Sequence, residues 1–169
     1  MSDITPPPVA SMPAWWDPKD RKILFNPGSI VPGVLFVSES SISFVTREET
    51  VFDCPLNERV PTLKGFFQAA TCAFRLTCND ITYRLYLCPP QGAPKLSRDH
   101  LNGVVQTLQA TSYGGNLIGG TVAGFTGVLG FVGDAVGTVS ATADLVRARR
   151  NYKLIQERIA SYGRDHAQP

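Results

Sequence analysis

Hydrophobic and polar residues alternate along two stretches of the chain, and each stretch predicts a β-hairpin. The first covers residues 33–46 (GVLFVSESSISFVT), where two apolar, β-branched runs are joined by a serine-rich turn. A tight turn at Glu39 and Ser40 pairs the apolar residues on one face of the hairpin, Val37 with Ile42 and Leu35 with Phe44. We therefore expect this face to be buried, and we take this hairpin as the centre of the fold.

The second hairpin covers residues 74–87 and turns at Asn79 and Asp80. Large apolar residues alternate with polar ones on both sides of this turn, which is the period-two pattern of strands with one buried face. The same turn places Arg75 directly opposite Arg84. Like charges in such a pair cost up to about 1 kcal/mol, so we expect an acidic residue close to them.

Weaker signals complete an α+β fold. Residues 21–25 (RKILF) and 50–56 (TVFDCPL) have the composition of strands, and the prolines of residues 89–94 interrupt the sheet. Ser97 is suited to cap a helix whose apolar residues recur at spacings of three and four, namely Leu101, Val104, Val105 and Leu108. This order of elements predicts a small antiparallel β-barrel of about six or seven short strands that is capped at one end by the helix.

Composition divides the chain into four regions. Residues 1–20 are rich in proline and predict a flexible arm, in which Trp15 and Trp16 belong to no regular element. Residues 21–112 form the predicted barrel with its helix, residues 113–138 a Gly-rich apolar helical segment, and residues 139–169 a basic amphipathic helix and tail. The positive charge lies in the tail, because residues 144–169 hold six Lys or Arg against three acidic residues.

The Gly-rich segment carries the strongest signal for membrane insertion or close helix packing. Residues 101–133 contain no charged residue, and glycines four apart form a glycine zipper that lets helices approach closely. The residues assigned to this contact are Gly115, Gly119, Gly120, Gly124, Val122, Phe125, Val128, Leu129 and Val132. The apolar core is short for a bilayer span, which needs about 17–25 residues, and basic residues flank it on both sides. We expect a re-entrant or interfacial segment, and the alternative is a soluble helix packed on the barrel.

The last region predicts an amphipathic helix with basic residues beside its apolar seam. The seam recurs at spacings of three and four residues and consists of Leu145, Ala148, Tyr152, Ile155, Ile159 and Tyr162. Three contacts are compatible with it: its own domain, a second copy of the chain, or a membrane surface.

The strands of residues 33–46, preceded by KILF and followed by TVFDCPL and FRLTCNDITYRLYL, resemble the GRAM and pleckstrin-homology-like superfamily over residues 22–111. The resemblance implies a strongly bent sheet that binds lipid head groups or proteins and performs no catalysis. Members that hold phosphoinositides use basic residues on the first strand and in the loop after it, whereas the loop after KILF has none here. Lys19, Arg21 and Lys22, just upstream, are the remaining candidates, and nearby aspartates offset part of their charge.

No catalytic signature is present in the sequence, which lacks a nucleophile elbow, a phosphate-binding loop, a dinucleotide fingerprint and an HExxH motif. We therefore expect a protein that is not an enzyme and that uses no metal or other cofactor. Arg75 and Arg84 are candidate anion-binding residues, because guanidinium groups offer a planar set of donors to phosphate or carboxylate. The alternative is a solvated sheet face whose charge is neutralised by acidic neighbours such as Asp53 or Glu58.

The four cysteines, Cys54, Cys72, Cys78 and Cys88, are expected to be reduced. No charged and apolar leader of the secretory type opens the sequence, and disulfides are rare in the cytosol. No histidine lies near them in sequence, so their pattern does not predict a zinc site.

These patterns favour a non-enzymatic adaptor, in which a barrel of the pleckstrin-homology or GRAM type is attached to a membrane or a membrane protein complex through the Gly-rich segment. We expect it on the cytoplasmic side of the membrane, with anionic lipid as a candidate ligand and without nucleic acid. The alternative is a soluble cytoplasmic assembly subunit whose C-terminal helices form a homo-oligomer or dock on a larger protein.

Overall fold

A computed structural model describes residues 10–18, 29–38, 40–56, 61–65, 72–112 and 141–165. These residues form an antiparallel sheet and two helices, so the predicted α+β class is confirmed. The elements are β1 (Ala10–Asp17), β2 (Val31–Val37), β3 (Ser41–Thr46), β4 (Thr50–Pro55), β5 (Thr62–Gly65), β6 (Ala73–Cys78), β7 (Ile81–Tyr86), α1 (Arg98–Ser112) and α2 (Ala141–Asp165).

The sheet has the strand order β4-β3-β2-β1-β7-β6-β5, and both predicted hairpins form within it. In the first, Val37 pairs with Ile42 and Leu35 with Phe44, as the sequence predicts. The second turns at Asn79 and Asp80, whose φ angles of 50° and 66° are those of a type I′ turn. Each hairpin therefore has the register that its alternating pattern predicts.

The sheet includes residues that the sequence assigns to a flexible arm. Residues 10–17 form β1, which lies between β2 and β7 at the centre of the sheet, so the prediction of a flexible arm is wrong for these residues. Pro13 does not prevent this pairing. It lies opposite Val34 of β2, whereas β7 pairs only with Trp15, Trp16 and Asp17. At Pro13 the strand thus has one paired neighbour, which is the situation in which a strand tolerates proline.

The sheet is strongly bent, but the described strands do not close it into a barrel. The rings of Phe52 on β4 and Tyr83 on β7 lie 4.4 Å apart, although three strands separate β4 from β7 in the sheet. The Cα atoms of Cys54 on β4 and Cys78 on β6 are 5.9 Å apart. Because β4 and β5 are the two edges and do not pair, the predicted barrel is corrected to an open, curled sheet.

Helix α1 packs on the convex face of this sheet. Ser97 caps it, since its hydroxyl accepts the backbone N–H of His100 at 3.3 Å. Its apolar residues Leu101, Val104 and Leu108 are buried with residues of β2 and β3. The hydroxyl of Thr107 donates to the carbonyl oxygen of Arg47 at 3.1 Å, which fastens α1 to the turn between β3 and β4. The predicted helix and its cap are thus confirmed.

Helix α2 packs on the concave face and completes the core there. Ala148 and Ile155 are buried with the apolar residues of the concave face. Tyr152 meets Phe74 of β6 edge to face, with ring centroids 5.7 Å apart. Of the three contacts compatible with the seam of this helix, the structure contains the first, which is packing on its own domain.

Several predicted features lie outside the described residues. They are the strand of residues 21–25, the Gly-rich segment of residues 113–138 and the basic residues Lys19, Arg21 and Lys22. Among the helices that the structure describes, none has the length and apolar character needed to cross a membrane. The likeness to the pleckstrin-homology and GRAM superfamily remains a prediction.

Candidate functional site

Side chains on the convex face of β1, β7, β6 and β5 form parallel rows, because paired residues in an antiparallel sheet point to the same side. The row nearest α1 consists of Trp15, Tyr86 and Ala73, which are in register across three strands and buried with the apolar residues of α1. Trp15 also donates its indole N–H to the carbonyl oxygen of Pro94, at 2.9 Å. This part of the face is therefore covered by α1 and the segment before it.

The next row is charged. Asp17 of β1 pairs with Arg84 of β7, Arg84 with Arg75 of β6, and Arg75 with Lys64 of β5. We call Arg84, Arg75 and Lys64 the cationic row, and its single acidic neighbour in register is Asp17. The prediction that Arg75 faces Arg84 is confirmed, and so is the acidic residue expected beside them. This residue is Asp17. Of the two neighbours suggested by the sequence, Asp53 lies on edge strand β4, and Glu58 lies outside the described residues.

The two guanidinium groups lie where the covered part of the face meets solvent. Both arginines are half-buried, and Lys64 is exposed. The guanidinium carbon of Arg84 lies 5.5 Å from the centre of the Tyr86 ring, in a cation–π arrangement. Arg75 and Arg84 also take part in further polar or electrostatic contacts. The packing against Tyr86 fixes the position of one charge while leaving the row accessible from solvent.

A row of hydroxyl groups follows the cationic row. Thr82, Thr77 and Thr62 are in register across β7, β6 and β5. The hydroxyl oxygens of Thr77 and Thr82 are 2.9 Å apart, within hydrogen-bonding distance. Guanidinium, ammonium and hydroxyl donors thus lie side by side, and this combination suits a phosphate or carboxylate group. This arrangement can bind an anion, whereas nothing in it supplies a nucleophile paired with a base.

Sequence reasoning identified part of this site. Arg75 and Arg84 were found from the hairpin pattern, and the structure brings them together. Lys64 was missed, because the short strand β5 has too few residues to show an alternating pattern, and so was Asp17, which the sequence assigns to the arm. The candidates Lys19, Arg21 and Lys22, and the residues of the Gly-rich segment, lie outside the described residues.

The cysteines differ from the prediction. Cys54 and Cys78 form a disulfide that joins edge strand β4 to β6 across the concave face, so the expectation that all four are reduced is wrong for this pair. Spacing in the sequence did not reveal the pair, because the two residues meet only when the sheet curls. Cys72 and Cys88 take no part in a disulfide, and the first is half-buried and the second buried.

The remaining reactive side chains have structural surroundings. Oγ of Ser97 and Nδ1 of His100 are 2.6 Å apart, and the backbone N–H of Ser97 donates to the same Nδ1 at 3.3 Å. The two residues thus form a reciprocal cap at the start of α1. Burial raises the pKa of the Asp53 carboxyl group, which lies on edge strand β4. The described part of the chain contains no group of three or more His, Cys, Asp or Glu side chains that could hold a metal ion.

Comparison of this chain with protein-family models, with curated proteins and with solved structures finds no match. A functional site in this protein is therefore assigned from the arrangement of its own side chains. By that criterion the described part of the molecule has one surface with a concentration of like charge on neighbouring strands, namely the cationic row beside Tyr86 and the threonine row.

Proposed function

We propose that this chain is a non-enzymatic binding module of the pleckstrin-homology or GRAM type that lies on a membrane, with the Gly-rich segment as its attachment and the cationic row as its contact with anionic lipid. The observation that carries this proposal is the cationic row. It places Arg84, Arg75 and Lys64 side by side on three neighbouring strands.

Repulsion within the row favours binding of an anion. Each pair of like charges in register costs up to about 1 kcal/mol. The row contains two such pairs, and among the described residues Asp17 is the one acidic partner in register with it. A phosphate or carboxylate group at the row removes this repulsion and accepts charge-assisted hydrogen bonds from the guanidinium groups. The partial burial of both arginines strengthens the interaction, because fewer water molecules screen the charges.

The positions of the two helices support a segment that enters and leaves the membrane on one side. Helix α1 ends at Ser112 on the convex face of the sheet, and α2 begins at Ala141 and packs on the concave face of the same sheet. A single crossing between them would place α2 on the opposite side of the bilayer from the sheet that it contacts. The segment between the helices is therefore proposed to lie in the interface or to form a re-entrant hairpin.

The competing function is an assembly subunit that forms a homo-oligomer or docks on a larger protein. Its expected contact surfaces were the Gly-rich segment and the apolar seam of α2, but Ala148 and Ile155 of that seam are buried against the sheet of the same chain. An oligomer would therefore have to use the Gly-rich segment alone. The membrane proposal has two contact surfaces, the Gly-rich segment and the cationic row.

Vesicle sedimentation with the full chain tests the proposal. The protein is mixed with vesicles of phosphatidylcholine alone and with vesicles that also contain phosphatidylserine, at about 0.1 M salt, where charges interact over about 10 Å. We expect the wild type to sediment with both, and more strongly with the anionic vesicles. Arg75→Ala/Arg84→Ala should lose the additional binding to anionic vesicles and keep the binding to neutral vesicles.

Two control variants separate the parts of the proposal. Arg98→Ala/Arg150→Ala removes the same charge from exposed positions on α1 and α2, and should bind like the wild type. Replacement of residues 113–138 by a Gly/Ser sequence of equal length should abolish binding to neutral vesicles. Wild-type protein that stays in the supernatant with both vesicle types, monodisperse without detergent, would refute membrane attachment. Equal loss in both double variants would refute the role of the row.

The disulfide makes the side of the membrane a separate question. Disulfides persist in oxidising compartments and are rare in the reducing cytosol, whereas the sequence predicts the cytoplasmic side. Acid quenching of intact cells followed by alkylation of reduced cysteines decides between an oxidising compartment and the cytoplasmic side. Alkylation of Cys54 and Cys78 would support the cytoplasmic side, and protection of these two cysteines from alkylation would place the domain in an oxidising compartment.

A further inference from the structure

The two cysteines outside the disulfide lie together at the open end of the hairpin formed by β6 and β7. Cys72 immediately precedes β6, and Cys88 follows shortly after β7. The pairing of Ala73 with Tyr86 continues outward, where the backbone N–H of Leu87 donates to the carbonyl oxygen of Cys72 at 3.4 Å. The thiols of Cys72 and Cys88 are hydrogen-bonded to each other. The fold thus brings the two thiols together just beyond the paired ends of β6 and β7, where Cys72 lies opposite Leu87, the residue before Cys88.

The two thiols differ in access. Cys72 is half-buried, whereas Cys88 is buried among the apolar residues of the concave face. A small molecule in solution therefore reaches Cys72 more readily than Cys88. This is the arrangement of an attacking thiol with a resolving thiol behind it.

Helix α2 brings a positive charge to the accessible thiol. Burial raises the pKa of Cys72, while the charge of Arg149 and the hydrogen bond with Cys88 act in the opposite direction. The pKa of Cys72 is raised overall, because burial has the largest effect. The charge of Arg149 limits this rise and so increases the share of thiolate, which is the form that attacks a disulfide. Arg150 is exposed on the same helix and provides a matched position for comparison.

We propose that Cys72 and Cys88 form a second, reversible disulfide by exchange with a low-molecular-weight disulfide of the glutathione type. The Cys72 thiolate attacks one sulfur of the small disulfide, forms a mixed disulfide and releases one thiolate. The Cys88 thiol then loses its proton and attacks the Cys72 sulfur, which releases the second thiolate. The pair loses two electrons and two protons, and the small disulfide is reduced to two thiols. The new bond closes the open end of the hairpin beside α2.

Peptide mapping of the full chain in a glutathione redox buffer tests this inference, which is independent of the membrane function. The protein is exposed to oxidised glutathione, quenched with acid, alkylated and digested for mass spectrometry. We expect alkylation of Cys72 and Cys88 to be lost together and a cross-linked peptide to appear, and both changes should reverse when reduced glutathione is added. The Cys54–Cys78 disulfide should stay as it is.

Variants assign the roles of the two thiols. Cys88→Ser, or Cys88→Ala if the serine variant does not fold, should stop at a mixed disulfide on Cys72. Cys72→Ser should make Cys88 react at least tenfold more slowly than Cys72 does in the wild type. Arg149→Ala should slow the first step, whereas Arg150→Ala should not. The inference is overturned if wild-type protein ends with glutathione on Cys72, links Cys72 to Cys54 or Cys78, or does not react.

Discussion

The packing of α2 on the sheet predicts a large effect for one substitution, Ile155→Ala. Ile155 is fully buried on the concave face, with the apolar residues of the sheet around it. The change removes Cγ1, Cγ2 and Cδ1, which at about 0.8 kcal/mol for each buried group amounts to about 2.4 kcal/mol. The cavity that remains raises the expected loss in free energy of unfolding to about 2–5 kcal/mol.

Val146→Ala on the same helix is the matched control. Val146 is 65% exposed, so its truncation creates no cavity. Both substitutions replace a β-branched residue by alanine, and both gain the same small amount of helix propensity, up to about 0.7 kcal/mol. The difference between the two variants therefore measures burial against the sheet and excludes the intrinsic preference of the helix.

Urea unfolding of the full chain, followed by circular dichroism, measures this difference. With a slope of about 2 kcal/mol per molar urea, a loss of about 3 kcal/mol lowers the midpoint by about 1.5 M. Val146→Ala should stay within about 0.5 kcal/mol of the wild type. If Ile155→Ala and Val146→Ala unfold at the same urea concentration, α2 does not pack on the sheet, and its seam is available for a partner.

Three further predictions concern the contacts around the sheet. Cys54→Ala/Cys78→Ala opens a loop with a sequence separation of 24 and should lower the free energy of unfolding by about 3 kcal/mol. Unchanged stability in urea would show that the bond does not stabilise the curled sheet. A Gly→Ala substitution inside a helix normally stabilises it by about 1 kcal/mol, but in Gly103→Ala the new Cβ would lie 2.5 Å from Cβ of Arg47. We therefore expect the free energy of unfolding to fall by about 1–2 kcal/mol, and a higher melting temperature would contradict this expectation. Burial raises the pKa of Tyr152, so the folded protein holds the proton of the Tyr152 hydroxyl group more strongly than the unfolded chain does. The stability that this difference contributes is complete below about pH 10 and is lost as the pH rises through the folded pKa. The stability of the wild type relative to Tyr152→Phe should therefore fall above that pH, and a difference independent of pH would refute the shift.

The hairpins could be predicted from the sequence because their signals are local. Alternation of apolar and polar residues fixes which side chains share a face, and a short turn fixes the register. That is why the pairing of Leu35 with Phe44 and of Arg75 with Arg84 agrees with the structure. The α+β class and the cap of α1 at Ser97 have local signals of the same kind.

The features that the sequence did not reveal depend on contacts between distant parts of the chain. Pro13 and the two tryptophans indicate a loop by local rules, but pairing with β2 and β7 makes these residues part of a central strand. The disulfide forms only once the sheet has curled. The pattern of the α2 seam is the same whether it packs on its own sheet or on a partner, so the sequence left this choice open.

The central position of β1 has a consequence for the order in which the protein folds. β1 is synthesised before the other described strands, and it pairs with β2 soon afterwards, but its other edge has no partner until β7 has been synthesised. Until then the nascent chain carries an open strand edge of the kind that invites intermolecular pairing. Trp15 and Trp16, the two tryptophans of the protein, lie where β1 meets β7. Their fluorescence in a stopped-flow refolding experiment therefore reports the joining of the two halves of the sheet.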